Sequence, residues 1–96
     1  MSDVVNGAIA ALNEKLEGNS ISGSIKIEIE GEGALRVDEN GAAVSDDAAD
    51  CTLGADAETL QGMLSGDVDP TSAFMSGKLR VDGDMGVAMQ LASALA

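Results

Sequence analysis

The chain has 96 residues and a mass of 9.6 kDa, enough for one compact domain over residues 1–96, since domains typically run to about 100–200 residues. Five Lys and Arg against seventeen Asp and Glu leave a net charge of −12. That balance argues against nucleic-acid partners, whose phosphates need a basic footprint with stacking aromatics, and against docking on an anionic membrane.

Histidine is absent, which removes the commonest general base and metal ligand. Leu, Val, Ile and Phe together make 22 of 96 residues, and Phe74 is the single aromatic. The fraction lies just above the level of about 20% below which a highly charged chain looks disordered, so the expectation is a folded domain with a lean, aliphatic core. The lone Cys51 has no intrachain disulfide partner and points to a reducing compartment. No basic segment precedes a long apolar stretch at the N-terminus, and no run approaches the roughly 20 apolar residues of a membrane span. A cytoplasmic protein without stable membrane insertion is expected.

Val4, Val5, Ala8, Ile9, Leu12 and Leu16 recur at helical spacing, predicting an amphipathic helix started by Ser2 or Asp3 and stopped by Gly18. From Ser20 to Glu30 the sequence alternates, placing Ile21, Ile25, Ile27 and Ile29 on one face of a half-buried strand. Gly31–Gly33 is expected to turn the chain into a second strand with Leu35 and Val37, and Asn40-Gly41 to form a tight hairpin before Ala42 and Val44. The acidic stretch Asp46–Asp50 is expected as a loop, and Cys51-Thr52-Leu53 as the fourth strand of an antiparallel meander.

The second half is predicted to begin with a short helix capped by Asp56, carrying Leu60, Met63 and Leu64 and ended by Gly66. Asp69-Pro70 starts another, with Ala73, Phe74 and Met75 before a stop at Gly77. Lys78–Asp82 alternates as a fifth strand with Leu79 and Val81 inward, and Asp84 caps a last helix from Met85 to Leu95. On that helix Met85, Ala88, Met89, Ala92 and Leu95 share a face, while Val87, Leu91 and Ala94 widen the apolar band. A band so wide implies cover on more than one side, or a face turned to something the chain does not encode.

Few residues suggest chemistry. Gly31-Glu32-Gly33 begins like a dinucleotide fingerprint, but the third glycine is missing and a strand follows where a helix should. Asp38, Asn40 and Gly41 fit part of a calcium loop, yet its first position would be Arg36. Cys51 lacks a histidine to activate it and suits a buried strand position. Lys78 and Arg80 on one strand face suit a solvated surface better than a headgroup site. No catalytic apparatus, cofactor or metal site is expected. The methionine-rich set Met63, Leu64, Phe74, Met75, Met85 and Met89 fits either core filler, which periodicity alone favours, or an adaptable apolar site.

The segment Ser72–Leu91, with its Phe-Met-Ser-Gly-Lys-Leu run, closely resembles the C-terminal signature of the sterol carrier protein 2 family. Ala49-Asp50-Cys51-Thr52-Leu53, Leu60, Gly66 and Asp69-Pro70 resemble the same family's middle section. This resemblance implies an α/β (α+β) fold: a five-stranded, mainly antiparallel sheet covered by helices on one side, with an apolar tunnel between them. It implies non-enzymatic lipid binding and intracellular lipid transfer, the ligand being a fatty acid, fatty acyl-CoA, phospholipid or sterol. Carried onto this sequence, the tunnel lining is Leu60, Met63, Leu64, Phe74, Met75, Leu79, Val81, Met85, Met89 and Leu95.

The chain ends Ser-Ala-Leu-Ala, without the Ser-Lys-Leu-type peroxisomal address of many eukaryotic relatives, which suggests a small, stand-alone bacterial-type member. Its charge opposes the phosphates of coenzyme A, unless Lys78 and Arg80 act locally. It also opposes transfer between anionic bilayers more than it opposes binding of an acyl chain. Two alternatives accompany the leading reading: an accessory domain presenting lipid to an isoprenoid or quinone biosynthetic enzyme, and a protein-interaction module with an apolar groove. A homodimer covering apolar surface is compatible with the pattern.

Overall fold

A computed structural model describes residues 3–17 and 21–95, apart from the Leu95 side chain. The elements run α1 (Asp3–Lys15), β1 (Ile25–Ile29), β2 (Gly33–Asp38), β3 (Gly41–Val44), β4 (Cys51–Ala55), α2 (Ala57–Ser65), α3 (Pro70–Met75), β5 (Arg80–Gly83) and α4 (Met85–Leu95). Ser2, Gly18 and Ser20, given boundary roles by the sequence, lie outside the described residues, and Asp3 sits within the first turn of α1. The strand expected from Ser20 begins only at Ile25. Ile21 is buried ahead of it, but the Ser22 N–H donates to Gln90 Oε1 of α4 at 2.9 Å and the Ser24 N–H to Asp50 Oδ2 at 3.1 Å. With those donors engaged elsewhere, this stretch joins no strand ladder.

The five strands form one sheet in the order β3-β2-β1-β4-β5. β1–β2, β2–β3 and β4–β5 pair antiparallel, whereas β1 and β4 run parallel with Ile25 opposite Cys51 and Ile29 opposite Ala55. The expected meander is therefore interrupted: β4 does not follow β3 along the edge but crosses to the far side of β1. Burial accounts for the choice. Cys51, Leu53, Gly54 and Ala55 are all buried, as an interior strand requires, while β3 is half-buried to exposed throughout and suits an edge.

The crossing segment, residues 45–50, is held against the outer face of the sheet. Lys26 Nζ lies 3.2 Å from Asp46 Oδ1, and Arg36 Nε donates to the Ala48 carbonyl at 3.3 Å. Lys26 and Arg36 are cross-strand partners of β1 and β2, the two strands the segment must pass. At its end Asp50 and Ser24 bond reciprocally, the Asp50 N–H donating to Ser24 Oγ at 3.0 Å and the Ser24 N–H to Asp50 Oδ2 at 3.1 Å, while the Asp84 N–H donates to the Asp50 carbonyl at 3.0 Å. Gly83, at φ +105°, passes so close that a Cβ there would sit 2.5 Å from the Asp50 carbonyl oxygen.

The opposite face carries Ile25, Ile27, Ile29, Leu35, Val37, Cys51 and Leu53, all buried, and receives the helices. α1 lies over β2 and β3, α4 over β4 and β5, and α2 packs beside α1. Each buried Leu or Ile side chain stabilises by about 1.5–3 kcal/mol relative to exposure, so this single aliphatic layer carries the fold. The Asn40-Gly41 hairpin is shifted by one residue: Asp38 pairs with Gly41, leaving Glu39-Asn40 as the turn, with the Asn40 N–H on Asp38 Oδ1 at 2.8 Å. Gly41 opens β3 at φ +116°, a conformation disfavoured for residues with a Cβ. The open edge of β3 is closed by an α1 side chain, since Asn13 accepts from the Ala42 N–H at 2.8 Å and donates to its carbonyl at 3.2 Å.

Helix starts follow the sequence. Asp56 Oδ1 accepts from the Thr59 N–H at 2.7 Å, Asp69 Oδ2 from the Ser72 N–H at 3.3 Å, and Asp84 Oδ1 from the Gly86 N–H at 2.8 Å. Gly66 ends α2. The Thr59 hydrogen bonds hold the Asp56 carboxyl below its ordinary value. Because the folded-state value is lowered, this cap stabilises fully above the ordinary Asp range and is lost as pH falls through the lowered value. Asp56→Asn, which keeps a capping side chain, should leave stability at neutral pH close to that of the parent and flatten its acid dependence in urea titrations. Leu35→Ala, by contrast, should cost about 2–5 kcal/mol in the same titrations; a smaller loss would show that the core collapses around the deletion.

Candidate functional site

The aliphatic layer is not closed everywhere. Between α3, β5 and α4 it opens into a cavity of about 200 Å3, lined by Leu53, Met63, Pro70, Thr71, Phe74, Leu79, Val81, Met85, Ala88, Met89, Leu91 and Ala92. Leu53, Met63, Leu79, Ala88 and Leu91 are buried and form the floor. Phe74, Met85 and Met89 are 45%, 46% and 67% exposed and form the rim.

Local structure explains the opening. α3 has six residues, of which only Ala73 is buried. The Ala73 carbonyl accepts from the Lys78 N–H at 2.9 Å and the Leu79 N–H at 3.1 Å, folding the chain back toward β5. A methyl-sized anchor draws the helix in but fills little space, so Phe74 stands at the rim. On α4 the wide apolar band divides into two stripes. Val87, Ala88 and Leu91 are buried, whereas Met85, Met89 and Ala92 follow the adjoining stripe along the cavity. β4 and β5 supply the floor in register, Leu53 opposite Val81.

Of the residues expected to line a tunnel, Met63, Phe74, Leu79, Val81, Met85 and Met89 come together around this cavity. Leu60 does not: it is 1% exposed and belongs to the core. Leu64 lines a separate cleft between α1 and α2 with Val4, Ala8 and Gln61. Leu60 and Leu64 lie one turn apart on the α2 stripe, whereas Met63 is rotated toward α3. Met75 is 81% exposed and outside the cavity, because one residue beyond Phe74 turns it outward. The Leu95 side chain lies outside the described residues. Sequence reasoning missed Leu53, Pro70, Thr71, Ala88, Leu91 and Ala92 as lining. Ala88 and Ala92 repeat the four-residue spacing of Met85 and Met89, so their place was readable. Leu53 joins only through the β4–β5 register.

The lining holds no titratable side chain, and Thr71 is its sole polar one. Cys51 is buried in β4 and outside the lining; burial, followed by the charges of Asp84 and Asp82, pushes its thiol up. Arg80, considered as a local headgroup cation, turns to the outer sheet face. Its guanidinium lies over Gly54, where a Cβ would come within 2.6 Å of Nη2, and Nη2 contacts Glu30 Oε1 at 3.4 Å. Among the described residues no helix is long and apolar enough to cross a membrane, and no group of three or more Cys, Asp or Glu side chains is arranged to hold a metal ion. What this geometry offers is an apolar cavity with an adaptable rim and one hydroxyl, that of Thr71, in its lining.

Known proteins share this fold. The family model described as the SCP-2 sterol transfer family matches residues 7–96. Sterol carrier protein 2 of Rattus norvegicus is 45% identical over 49 residues, which is 51% of this chain and 9% of that protein; the match thus spans a small part of that relative's length. The solution structure of sterol carrier protein 2 from Aedes aegypti in complex with palmitate superposes with a TM-score of 0.81 at 22% identity, covering 100% of this chain and 97% of that one. UbiJ-SCP2, a ubiquinone synthesis protein, superposes at 0.70 with 24% identity, over 96% and 92% of the two chains.

The buried thiol provides a check on the sheet beside the cavity. Because the thiolate is the reactive form, iodoacetamide near neutral pH should alkylate Cys51 at least about ten-fold more slowly in the native chain than in urea. Equal rates would mean that β4 is open to solvent.

Proposed function

Because the chain belongs to the SCP-2 sterol transfer family, we propose that residues 1–96 act as one non-enzymatic, cytoplasmic lipid-binding domain that encloses a lipid's apolar chain in the cavity between α3, β5 and α4. The observation that carries this reading is an aliphatic cavity whose rim exposes Phe74, Met85 and Met89 to solvent. Exposed apolar area of that kind marks a surface that meets a ligand or partner. The palmitate carried by the Aedes aegypti neighbour supports a linear chain as the occupant. Removing each methylene from water contributes about 0.8 kcal/mol. Ten would give about 8 kcal/mol gross, from which the entropic costs of association are subtracted. Met63, Leu79 and Val81 would contact the enclosed chain, and Met85 and Met89 would repack around ligands of different width.

The similarity to UbiJ-SCP2 supports a second reading at the same cavity, in which the domain presents a lipid intermediate to a biosynthetic enzyme. Stable co-purification with an enzyme acting on isoprenoid or quinone intermediates favours presentation, and lipid exchange between vesicles without such a partner favours transfer.

Native mass spectrometry of gently purified protein, with solvent extraction, should reveal a stoichiometric lipid; an apo mass that takes up no added lipid would sink the proposal. Phe74→Asp and Met89→Glu should each weaken lipid binding by about ten-fold or more while leaving the thermal midpoint near that of the parent, since both side chains stand at the rim. Unchanged affinity in a folded variant would place the ligand elsewhere.

A further inference from the structure

Resting on that reading of the cavity, we infer that it selects lipids whose polar end is uncharged, such as long-chain alcohols, ketones or esters, over fatty-acid anions of the same chain length. An apolar cavity leaves the ligand's polar end at its mouth, where an anion that loses part of its hydration against the rim is favoured by a counter-charge. Two kinds of group supply one: a Lys or Arg side chain, or the free N–H groups at the start of a helix. This chain has both, and its own carboxylates engage three of the five basic side chains and several of the helix-start amides.

Consider the cations first. Arg36 pairs with Asp38 at 2.7 Å, Lys26 with Asp46 at 3.2 Å and Glu28 at 3.4 Å, and Arg80 with Glu30 at 3.4 Å. All three rise from the outer face of the sheet, opposite the face on which Leu53 and Val81 floor the cavity. Lys15 closes α1, which lies over β2 and β3, at the other side of the sheet from β5. Lys78 directly precedes the lining residue Leu79 and, among the described residues, forms no ion pair within 4.0 Å; it is the one cation near the mouth, and the Lys78→Gln variant reads its contribution.

The helix starts repeat the pattern. Asp56 takes the Thr59 N–H of α2 at 2.7 Å. At the two helices that wall the cavity, Asp69 takes the Ser72 N–H and hydroxyl at 3.3 and 3.1 Å, and Asp84 takes the Gly86 and Val87 N–H groups at 2.8 and 3.4 Å. Asp69 directly precedes Pro70, and Asp84 directly precedes Met85, both lining residues. Three first-turn amides beside the cavity, those of Ser72, Gly86 and Val87, thus face a carboxylate already, in a chain of net charge −12. The Thr71 hydroxyl, the lining's sole polar side chain, both donates and accepts and matches an uncharged hydroxyl or carbonyl.

Hexadecanol and palmitate should be compared as competitors of the uncharged fluorophore N-phenyl-1-naphthylamine on the full chain near neutral pH. Hexadecanol is expected to displace the probe at about ten-fold lower concentration, and Thr71→Lys, a change at an exposed position, should reverse the order. Equal displacement by the two, or a palmitate affinity that Lys78→Gln abolishes, overturns the selectivity while leaving lipid binding intact. If neither lipid displaces the probe and none is taken up in native mass spectrometry, the reading of the cavity falls and the selectivity with it.

Discussion

The parallel pairing of β1 with β4 joins two halves of the chain that would otherwise be separate units. Residues up to Val44 form a helix and a three-stranded hairpin array, and residues from Cys51 onward form a hairpin-like pair of strands with three helices. Neither half has enough apolar area to stand alone at this size. Placing β4 beside β1 makes one sheet and lets α1 and α4 cover a shared aliphatic face. Parallel neighbours need a crossover, and six residues at positions 45–50 serve. Lys26 and Arg36 secure that crossing on the outer face, and the Ser24–Asp50–Asp84 hydrogen bonds secure its end. The polar face of the sheet therefore has a definite task. Its cations bind the chain's own return path.

The cavity follows from the same arrangement. The β1–β3 side is covered by α1, whose Val5, Ala8 and Leu12 are buried against the sheet. The β4–β5 side is covered by α4 and by the short α3, anchored through Ala73 alone. A long helix bearing Leu and Val fills its share of the layer; a six-residue helix held by one methyl does not. The unfilled volume is left beside flexible methionines, which adapt their shape at low cost. A filled core and an open cavity are thus divided between the two sides of one sheet. The lack of aromatics elsewhere makes Phe74 at the rim more conspicuous, since the chain's largest apolar side chain is 45% exposed and not used in the core.

Electrostatics shape the surroundings of the site through location as much as through total charge. Three helices open with an aspartate whose carboxylate takes the amides of the first turn, and three of the five basic side chains are paired on the far face of the sheet. The caps of α3 and α4 also occupy three first-turn amides beside the cavity.

Much of this was legible in the sequence because its causes are local. Asp56, Asp69-Pro70 and Asp84 announce helix starts through bonds within one turn, and the alternation of Ile25, Ile27 and Ile29 or Leu35 and Val37 marks an apolar strand face whatever lies opposite. The motif at Ser72–Leu91 indicated the family, whose fold the structure shares. Strand order was not legible. Cys51–Ala55 pairs equally well with any strand by its own pattern, and its place beside β1 is decided by burial on both sides, to which distant residues contribute. The same holds within α2, where Leu60 and Leu64 fall to the core or to the α1 cleft and Met63 to the cavity, although all three are apolar and adjacent in space. Periodicity specifies which residues turn away from water. Whether they then meet other side chains or an unfilled volume depends on neighbours brought together only by the tertiary fold.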